Sequence, residues 1–370
     1  MYICSARVLG FLPLLAVLCM LPTGCGRAEG DSKLASISYP VVNAPEFVGG
    51  TDDWLNSKPL SIKDLRGKVV LVDFWEYTCV NCIRTFPYLT EWYRRYADKG
   101  LVIVGIHTPE FEFAKSKERV SAAAQRFGLA FPILLDNEYE NWSAYANRYW
   151  PRKYLIDKNG KIVYDHIGEG GYGTTEKRIQ ALLRDAGYSG ELPPIMESVR
   201  ETDRPGAVCY PTTPELYAGS RGYQSGHFGQ DAFYRQGQVV VFSKEQPRDA
   251  GRIYLSGKWY CGPESVRAEG MPAAIELSYK ATEVNAVLKS GGAQPIRLLV
   301  TQDGKPLNKA SAGQDARFDE QSNCYVEVAE GRMYSLVVNP KHGEHVLTLT
   351  PQAAGVELYS FTFSSSCVEP

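Results

Sequence analysis

The sequence lacks the features that mark a nucleic-acid-binding, membrane-spanning or zinc-binding protein. The 370 residues carry a formal net charge of -2 and hold no run of lysine or arginine that would bind nucleic acid or an anionic membrane. Apart from one segment near the start, no apolar stretch approaches the length that crosses a bilayer. His342 and His345 have the wrong spacing for a zinc enzyme. The chemistry of this chain must therefore come from other residues.

The first 25 residues are typical of an export signal. One arginine precedes an apolar run over 8–21, and a segment of small residues follows. Leu21-Pro-Thr-Gly-Cys25 resembles a bacterial lipoprotein cleavage box with Cys25 as the lipidated residue, although Pro22 stands where leucine is usual. Ordinary signal cleavage a few residues later is the alternative. We expect an exported protein, periplasmic or otherwise extracytoplasmic, with Cys25 as a candidate membrane tether.

Cysteine usage agrees with export. If Cys25 is lipidated, an even number of cysteines remains, which are Cys79, Cys82, Cys209, Cys261, Cys324 and Cys367. Export places these cysteines in a compartment where disulfides persist. The last four lie in or beside the C-terminal part and are candidates for structural disulfides. Four cysteines allow three pairings. If the first and last strands of that part are neighbours, Cys209–Cys367 with Cys261–Cys324 is the favoured pairing.

Residues 40–187 alternate between strand and helix patterns. A run rich in β-branched residues at 68–75 predicts a buried strand, and helical spacing follows it. Further strand patterns occur at 101–108, 131–136, 153–157 and 161–168, the last two joined by the hairpin turn signal Asn159-Gly160. Strand–helix alternation that ends in a hairpin predicts a mixed sheet covered by helices on both faces.

The pattern changes after residue 187. Residues 188–205 are rich in proline, glycine and charge, which predicts a linker. Short alternating runs separated by turn residues fill 206–370 and predict an all-β, jelly-roll-like sandwich. Its aromatic side chains either stack on the sugar rings of a glycan or belong to the core. These aromatic residues are Tyr210, Tyr217, Tyr223, Phe228, Trp259 and Tyr260.

Cys79 and Cys82 stand where the first predicted strand meets its helix. A zinc site needs about four ligands, usually a second Cys-x-x-Cys or a histidine pair. Haem attachment needs histidine after the second cysteine, where this chain has Ile83. A redox pair fits, because unpaired N–H groups and the helix dipole at a helix start lower the pKa of a thiol. Cys79 is then the exposed nucleophile and Cys82 the resolving thiol, with an inert structural staple as the alternative.

The stretch VVLVDFWEYTCVNCIRTFP resembles the active site of the thioredoxin superfamily, and more closely that of its exported TlpA/ResA-like branch. The resemblance implies that Asp73, six residues before Cys79, is buried behind the pair and relays protons to Cys82. Pro87 matches the family proline that kinks the helix. Trp150-Pro151 matches the cis-proline whose backbone pairs with a substrate chain.

Longer stretches extend the resemblance to the extracytoplasmic region of DipZ-type proteins, among them GIHTPEFEFAK and LDNEYENWSAYANRYWPRKYLID. Those proteins join a CcdA-like membrane electron carrier to a TlpA-like thioredoxin domain and a carbohydrate-binding-module-like β-sandwich. The resemblance implies an exported thiol:disulfide oxidoreductase that reduces protein disulfides, with cytochrome c maturation as one setting. The sequence holds no counterpart of the membrane carrier, so we expect a separate CcdA-like electron donor.

Three residues around the pair have two interpretations each, and Asn81 has one. Trp75 either packs beside the disulfide or serves only the core, and Glu76 either tunes Cys79 and relays protons or is a solvated loop acid. Asn81, between the cysteines, is expected to affect the reduction potential through hydrogen bonding. His107 either approaches the site or is a satisfied histidine at a strand end.

Two other functions stay open at this point. The chain could bind a glycan or a protein through its β-domain, with the thioredoxin-like domain as scaffold. A thiol peroxidase shares the fold, but the Pro-x-x-x-Thr-x-x-Cys motif of peroxiredoxins is not present around Cys79. We expect no metal, no nucleic acid and no cofactor beyond the Cys79–Cys82 disulfide.

Overall fold

The computed structural model describes residues 42–230, 234–245 and 249–368. The predicted signal and the lipidation candidate Cys25 lie outside these ranges. The described residues all belong to one compact unit. No helix in the described part of the chain is long and apolar enough to cross a membrane.

The N-terminal part is the mixed sheet with helices that the alternating pattern predicts. Its seven strands lie in the order β1-β7-β6-β3-β4-β5-β2, where β3, β4 and β5 run parallel and the other pairings are antiparallel. The strands are β1 (Val42–Asn43), β2 (Trp54–Leu55), β3 (Val69–Trp75), β4 (Leu101–His107), β5 (Ile133–Leu135), β6 (Arg152–Ile156) and β7 (Lys161–Ile167). The helices are α1 (Val80–Tyr96), α2 (Lys117–Phe127), α3 (Glu140–Ala144) and α4 (Tyr172–Asp185).

Strand β3 is buried on both faces because successive side chains alternate between two cores. Val69, Leu71 and Trp75 pack in one cluster with Cys82 of α1, whereas Val70, Val72 and Phe74 pack in a second cluster on the other face. By the same alternation, the side chain of Asp73 lies on the face of Leu71 and Trp75, which is the face that carries Cys82.

In its described residues the C-terminal part is an antiparallel array of eleven strands with one short helix, α5 (Gly219–Gln224), so the predicted all-β part is confirmed. Two long strands, β12 and β17, form its centre, and β12 pairs with both β17 and β18. The strands are β8 (Leu216–Tyr217), β9 (Val239–Phe242), β10 (Ile253–Cys261), β11 (Val266–Ala268), β12 (Ala274–Ser290), β13 (Ile296–Gln302), β14 (Lys305–Pro306), β15 (Arg317–Phe318), β16 (Cys324–Val328), β17 (Arg332–Pro351) and β18 (Val356–Ser364).

Half of the favoured disulfide pairing is wrong. Cys209 and Cys367 form a disulfide, but Cys261 and Cys324 are free, buried thiols. Cys261 ends β10 and Cys324 begins β16, and three strands (β12, β17 and β13) stand between β10 and β16 in the sheet order. The two thiols instead belong to the apolar core of the β-domain, where cysteine behaves as a small hydrophobic side chain.

The predicted linker is fastened to the N-terminal domain by hydrogen bonds from its backbone N–H groups to side chains of that domain. The N–H of Met196 donates to the carboxylate of Glu176 at 2.7 Å, and the N–H of Val199 donates to the hydroxyl of Tyr88 at 2.7 Å. Its only regular element is a single 3-10 turn, Glu201–Asp203. The segment therefore packs against α1 and α4 before the chain enters the β-domain. The limits given for it, 188–205, stay a prediction.

Candidate active site: a dithiol at the start of a helix

Cys79 and Cys82 lie at the N-terminus of α1, directly after β3. Cys79 is the N-cap residue, and its Sγ accepts a hydrogen bond from the N–H of Cys82 at 3.3 Å. Cys82 is fully buried, and Cys79 is only partly exposed, which is less than the sequence predicts. Both are free thiols, so the structure describes the reduced pair.

The pKa of the Cys79 thiol shifts upward, opposite to the lowering that a helix start alone predicts. The hydrogen bond from the Cys82 thiol lowers this pKa, but burial and the carboxylates of Glu110 and Glu215 raise it, and the net direction is upward. Burial raises the pKa of Cys82 well above its ordinary value, with the Cys79 thiol and Asp73 adding to the effect. The surroundings of this pair therefore disfavour thiolate, and Cys82 needs a base to lose its proton.

Asp73 is fully buried and pairs with a lysine that sequence analysis missed. Nζ of Lys153 lies 3.4 Å from Oδ1 of Asp73, and the lysine side chain is only 1% exposed. Burial raises the pKa of Asp73 to about 6, and the nearby charge of Lys153 opposes that rise. Since Asp73 also acts on the pKa of Cys82, the structure brings the predicted acid and the predicted resolving thiol together.

Glu76 is not the solvated loop acid of the alternative interpretation, because its side chain is fully buried. Its Oε2 accepts a hydrogen bond from the N–H of Thr78 at 2.7 Å and another from the Thr78 hydroxyl. Oε1 lies 3.8 Å from Nε2 of His107, which is also fully buried. Neither ring nitrogen of His107 has a hydrogen-bond partner among the described residues. The interpretation of His107 as a hydrogen-bonded histidine at a strand end is therefore wrong too. Glu76 thus fixes the loop before Cys79.

The Trp150–Pro151 peptide bond is cis, which is the isomer that the resemblance implies. The carbonyl of Pro151 accepts a hydrogen bond from the N–H of Gly168 at 2.8 Å, and the indole Nε1 of Trp150 donates to the carbonyl of Thr108 at 3.1 Å. Thr108 in turn donates its N–H to the carbonyl of Trp75 at 3.2 Å. The cis-proline loop is therefore connected to the end of β3, just before the dithiol.

The remaining supporting residues lie close in sequence but differ in exposure. Trp75 is fully buried and packs edge-on against Phe86 and His107, in the same cluster as Cys82. Asn81 and Pro87 are exposed, and Pro87 lies inside α1, which continues to Tyr96. Trp75 therefore serves both the core and the wall behind the dithiol.

The β-domain packs directly against the dithiol loop, which sequence analysis did not foresee. The hydroxyl of Tyr77, two residues before Cys79, donates to the carbonyl of Gly331 at 3.3 Å. Phe113 packs edge-on against Tyr359 with ring centroids 4.8 Å apart. A cavity of about 140 Å³ lies at this interface, lined by both domains, and Ile83 of α1 is among its walls. The second domain thus borders the redox site.

Glu110 is a further residue that sequence analysis missed. It follows β4, and its Oε1 accepts hydrogen bonds from the Tyr217 hydroxyl and the Arg221 guanidinium of the β-domain, both at 2.9 Å. The nearest signal in the sequence is its position three residues after the strand end at His107, since residues that follow parallel strands gather at the edge of the sheet where Cys79 lies.

The aromatic residues considered for glycan stacking have other partners. Trp259 and Phe228 belong to the β-domain core, and Tyr217 faces the other domain. Tyr210 and Tyr223 are exposed, and they stack on His342 and Tyr234 respectively. In the described ranges, no three His, Cys, Asp or Glu side chains are grouped so that they could hold a metal ion.

Two protein families match the two parts of the chain. Residues 42–183 match the Redoxin family, and residues 213–364 match the family described as the thioredoxin-like C-terminal domain. The chain is 36% identical over 328 residues to protein DipZ of Mycobacterium tuberculosis, which covers 87% of this chain and 44% of DipZ. It is 34% identical over 141 residues to the thiol-disulfide oxidoreductase ResA of Bacillus anthracis, which covers 38% of this chain and 75% of ResA.

Among solved structures, the thioredoxin domain of a thiol-disulfide oxidoreductase from Bacteroides vulgatus is 30% identical, with a TM-score of 0.32, and covers 37% of this chain and 96% of that one. The family model and the sequence relatives place the chain in the thioredoxin-like class of proteins. Within that class the chain belongs to the family of the thiol-disulfide oxidoreductase ResA, and it is similar to DipZ over most of its own length. It spans less than half the length of the DipZ proteins that it matches.

Proposed function

We propose that this chain is an exported reductant of protein disulfides that works through Cys79 and Cys82. The observation that carries the proposal is the asymmetry of the pair. Cys79 is a partly exposed N-cap residue, and Cys82, one turn later, is fully buried beside Asp73. Exchange chemistry needs one thiol that a substrate can reach and a second that only the first can reach.

The reaction proceeds in two exchanges. The thiolate of Cys79 attacks one sulfur of a substrate disulfide, which forms a mixed disulfide and releases the first substrate thiolate. The thiolate of Cys82 then attacks Sγ of Cys79 and releases the second substrate thiolate. The products are a Cys79–Cys82 disulfide and a substrate that has gained two electrons and two protons.

Asp73 is the proposed base for Cys82. The pKa of Cys82 is well above its ordinary value, so Cys82 ionises only if a neighbour takes its proton. A carboxyl group with a pKa of about 6 is mostly ionised at neutral pH and can still be protonated transiently. Lys153, 3.4 Å from Asp73, stabilises the ionised form that the step requires.

The main chain at Trp150–Pro151 is the proposed docking strand for the substrate. The carbonyl of Pro151 is already bonded to Gly168. The backbone N–H and C=O of Trp150 make no hydrogen bond to other described residues, so they are the groups left for a substrate chain. An extended substrate segment paired there would lie beside Cys79, because the indole of Trp150 is bonded to Thr108 next to β3.

The direction of electron flow rests on the thiol pKa values. A strong disulfide oxidant such as DsbA owes its potential to a stabilised reduced form with a low thiol pKa. Here the pKa values of both Cys79 and Cys82 are raised, so the thiolates are not stabilised. This supports a reductant, which then needs an external dithiol to return it to the reduced state.

The cellular setting follows from the resemblance and the N-terminal sequence. We propose that the protein works outside the cytoplasm, that Cys25 carries a lipid tether, and that a separate CcdA-like membrane protein supplies electrons. The Cys-x-x-Cys-His disulfides of exported apocytochromes c are one class of substrate. A glycan bound by the β-domain stays a prediction of the resemblance.

Trapping identifies the substrate. With Cys82→Ser the second exchange cannot occur, so we expect mixed disulfides on Cys79, which mass spectrometry of cross-linked peptides would identify. Cys79→Ser is the matched control and should trap nothing. If Cys82→Ser traps no protein that Cys79→Ser does not also trap, exchange with protein substrates is excluded and the protein-binding alternative gains support.

The reduction potential of the pair tests the direction. We expect a value near that of thioredoxin, about −270 mV, when the reduced protein is equilibrated with dithiothreitol buffers. A value near that of DsbA, about −120 mV, would contradict the reductant proposal while leaving the exchange chemistry intact.

A further inference from the structure

The segment that follows β4 lies between the two loops of the redox site. The N–H of Thr108 donates to the carbonyl of Trp75 at 3.2 Å, which holds the segment beside the loop before Cys79. The carbonyl of Thr108 accepts from the indole of Trp150 at 3.1 Å, which holds it beside the cis-proline loop. Glu110 follows two residues later, and its carboxylate is one of the two carboxylates that act on Cys79.

The β-domain fixes the carboxylate of Glu110. The Tyr217 hydroxyl and the Arg221 guanidinium both donate to its Oε1 at 2.9 Å, and only 10% of the Glu110 side chain is exposed. Arg221 also lies over the ring of Tyr217, 3.6 Å from its centroid. Tyr217 is held in β8 by pairing with Ser360 of β18. A two-donor arrangement built on a paired strand leaves the carboxylate little freedom to turn away.

We propose that Glu110, positioned by Tyr217 and Arg221, controls the ionisation of Cys79, so that the β-domain completes the redox site. The role of Glu110 in thiol–disulfide exchange rests on the proposed function of Cys79 and Cys82. The electrostatic coupling between Glu110 and Cys79 does not depend on that function. Glu110 is a positioning residue in this scheme, because it acts through Cys79 and forms no bond with substrate. The second domain is thus a working part of the site as well as a possible binding module.

The charges around Cys79 are consistent with this role. The carboxylates of Glu110 and Glu215 both raise the pKa of Cys79, and the Cys82 thiol lowers it by a hydrogen bond. Glu110 comes from the thioredoxin-like domain and Glu215 from the β-domain, one residue before β8. Because a like charge disfavours the thiolate, loss of the Glu110 charge should make Cys79 ionise at lower pH.

The pKa of Glu110 itself depends on both domains. Burial raises it and the carboxylate of Glu76 raises it further, while Tyr217 and Arg221 lower it. Removing the Tyr217 hydroxyl takes away one of the two donors that hold the Glu110 carboxylate, so the carboxylate gains freedom to turn away from Cys79. A carboxylate that turns away acts less on Cys79, so the effect of this change on Cys79 has the same sign as removal of Glu110, and it is smaller.

The test is the pH profile of Cys79 alkylation by iodoacetamide in the full, reduced chain, read peptide by peptide. We expect Glu110→Gln to shift the profile to lower pH by roughly 0.5–1 unit. We expect Tyr217→Phe to shift it in the same direction by less. Glu110→Asp keeps the charge and should stay near the wild-type profile. Tyr359→Phe is the matched control, since it removes a hydroxyl at the same domain interface that donates to Glu357 and not to Glu110.

The outcomes separate the parts of the proposal. If Glu110→Gln leaves the profile unchanged while its circular dichroism and thermal unfolding match wild type, control by Glu110 is overturned. If Glu110→Gln shifts the profile but Tyr217→Phe behaves like Tyr359→Phe, the contribution of the β-domain is overturned. Failure of wild-type Cys79 and Cys82 to form a reversible disulfide in dithiothreitol buffers would overturn the proposed function instead, and the alkylation profiles would still decide the coupling.

Discussion

Lys153 and Asp73 form a buried ion pair directly behind the dithiol. The two residues face each other across the antiparallel pairing of β6 with β3, and Nζ of Lys153 lies 3.4 Å from Oδ1 of Asp73. Neither carboxylate oxygen of Asp73 has a conventional hydrogen bond among the described residues, so Lys153 is the main compensation for its charge. A buried pair of this kind costs desolvation free energy that the attraction only partly offsets.

The pH dependence of stability should report the ionisation of Asp73. Its pKa is about 6 when folded against 3.8 as the ordinary value, so between these pH values the folded state keeps a proton that the unfolded state loses. Ionisation of Asp73 therefore destabilises the fold as pH rises through this window, by about 3 kcal/mol in total. We expect Asp73→Asn to gain about that much unfolding free energy relative to wild type between about pH 3.5 and pH 7. Urea unfolding of the reduced protein measures it.

Asp98→Asn is the control for this prediction, because the side chain of Asp98 is 74% exposed and lies on the surface. It should follow the wild-type pH dependence. If Asp73→Asn and Asp98→Asn show the same pH dependence, Asp73 does not titrate near pH 6 in the folded protein.

Removal of Lys153 should raise the pKa of Asp73 further. With Lys153→Met, burial acts on the carboxylate without the opposing charge, so we expect its pKa to move above about 6. Carboxyl-carbon NMR titration of Asp73 measures the change. Lys158→Met removes a partly exposed lysine that pairs with Asp185 and should leave this titration unchanged. An unchanged pKa in Lys153→Met would show that the two side chains are not coupled.

Only one disulfide should be present in the β-domain. Non-reducing peptide mass spectrometry should find a Cys209–Cys367 cross-link, whereas Cys261 and Cys324 should react with iodoacetamide only after denaturation. The cross-link spans 158 residues, so replacing both Cys209 and Cys367 by serine should cost up to roughly 5 kcal/mol of unfolding free energy. Replacing Cys261 and Cys324 by alanine should leave the cross-link in place. A cross-link between Cys261 and Cys324 would refute the assignment.

The domain interface should be sensitive to one added methyl group at Gly331. A Cβ at this position would lie 2.5 Å from Cδ2 of Phe113, so Gly331→Ala must displace that ring or the β-domain. We expect a loss of about 1–3 kcal/mol, seen as a lower transition temperature in calorimetry. Gly292→Ala is the matched control, because nothing lies within 4 Å of a Cβ there. Equal transition temperatures for the two variants would mean that the interface adapts without cost.

The local features of the redox site could be predicted from the sequence. The β-branched run before Cys79 predicts the buried strand β3, the helical spacing after Cys82 predicts α1, and residues at such a junction lie at a helix start by necessity. Asp73 and Trp150-Pro151 could be placed only because their spacing from the cysteines resembles that of a known family. Composition and periodicity alone would not have singled them out.

The missed residues depend on pairings that are remote in the sequence. Lys153 stands in a short strand pattern, and whether its side chain meets Asp73 depends on the register of β6 with β3. Glu110 and Tyr217 are 107 residues apart and belong to different domains. The pKa of Cys79 was predicted from the helix start, but its direction is set by burial and by two carboxylates that only the folded chain brings near. The pairing of Cys261 with Cys324 failed because strand order in the β-domain does not follow strand order in the sequence.

The disulfide between Cys209 and Cys367 closes nearly the whole β-domain into a covalent ring. A single backbone cleavage by a protease at any point between these residues would open the ring without releasing either fragment. Tyr217 and Arg221 would then remain attached to the chain that carries Glu110, and noncovalent packing could keep them in place. We expect the redox site to stay active after a single cleavage of the β-domain as long as the Cys209–Cys367 disulfide is intact. The same cleavage should inactivate the site when this disulfide is absent.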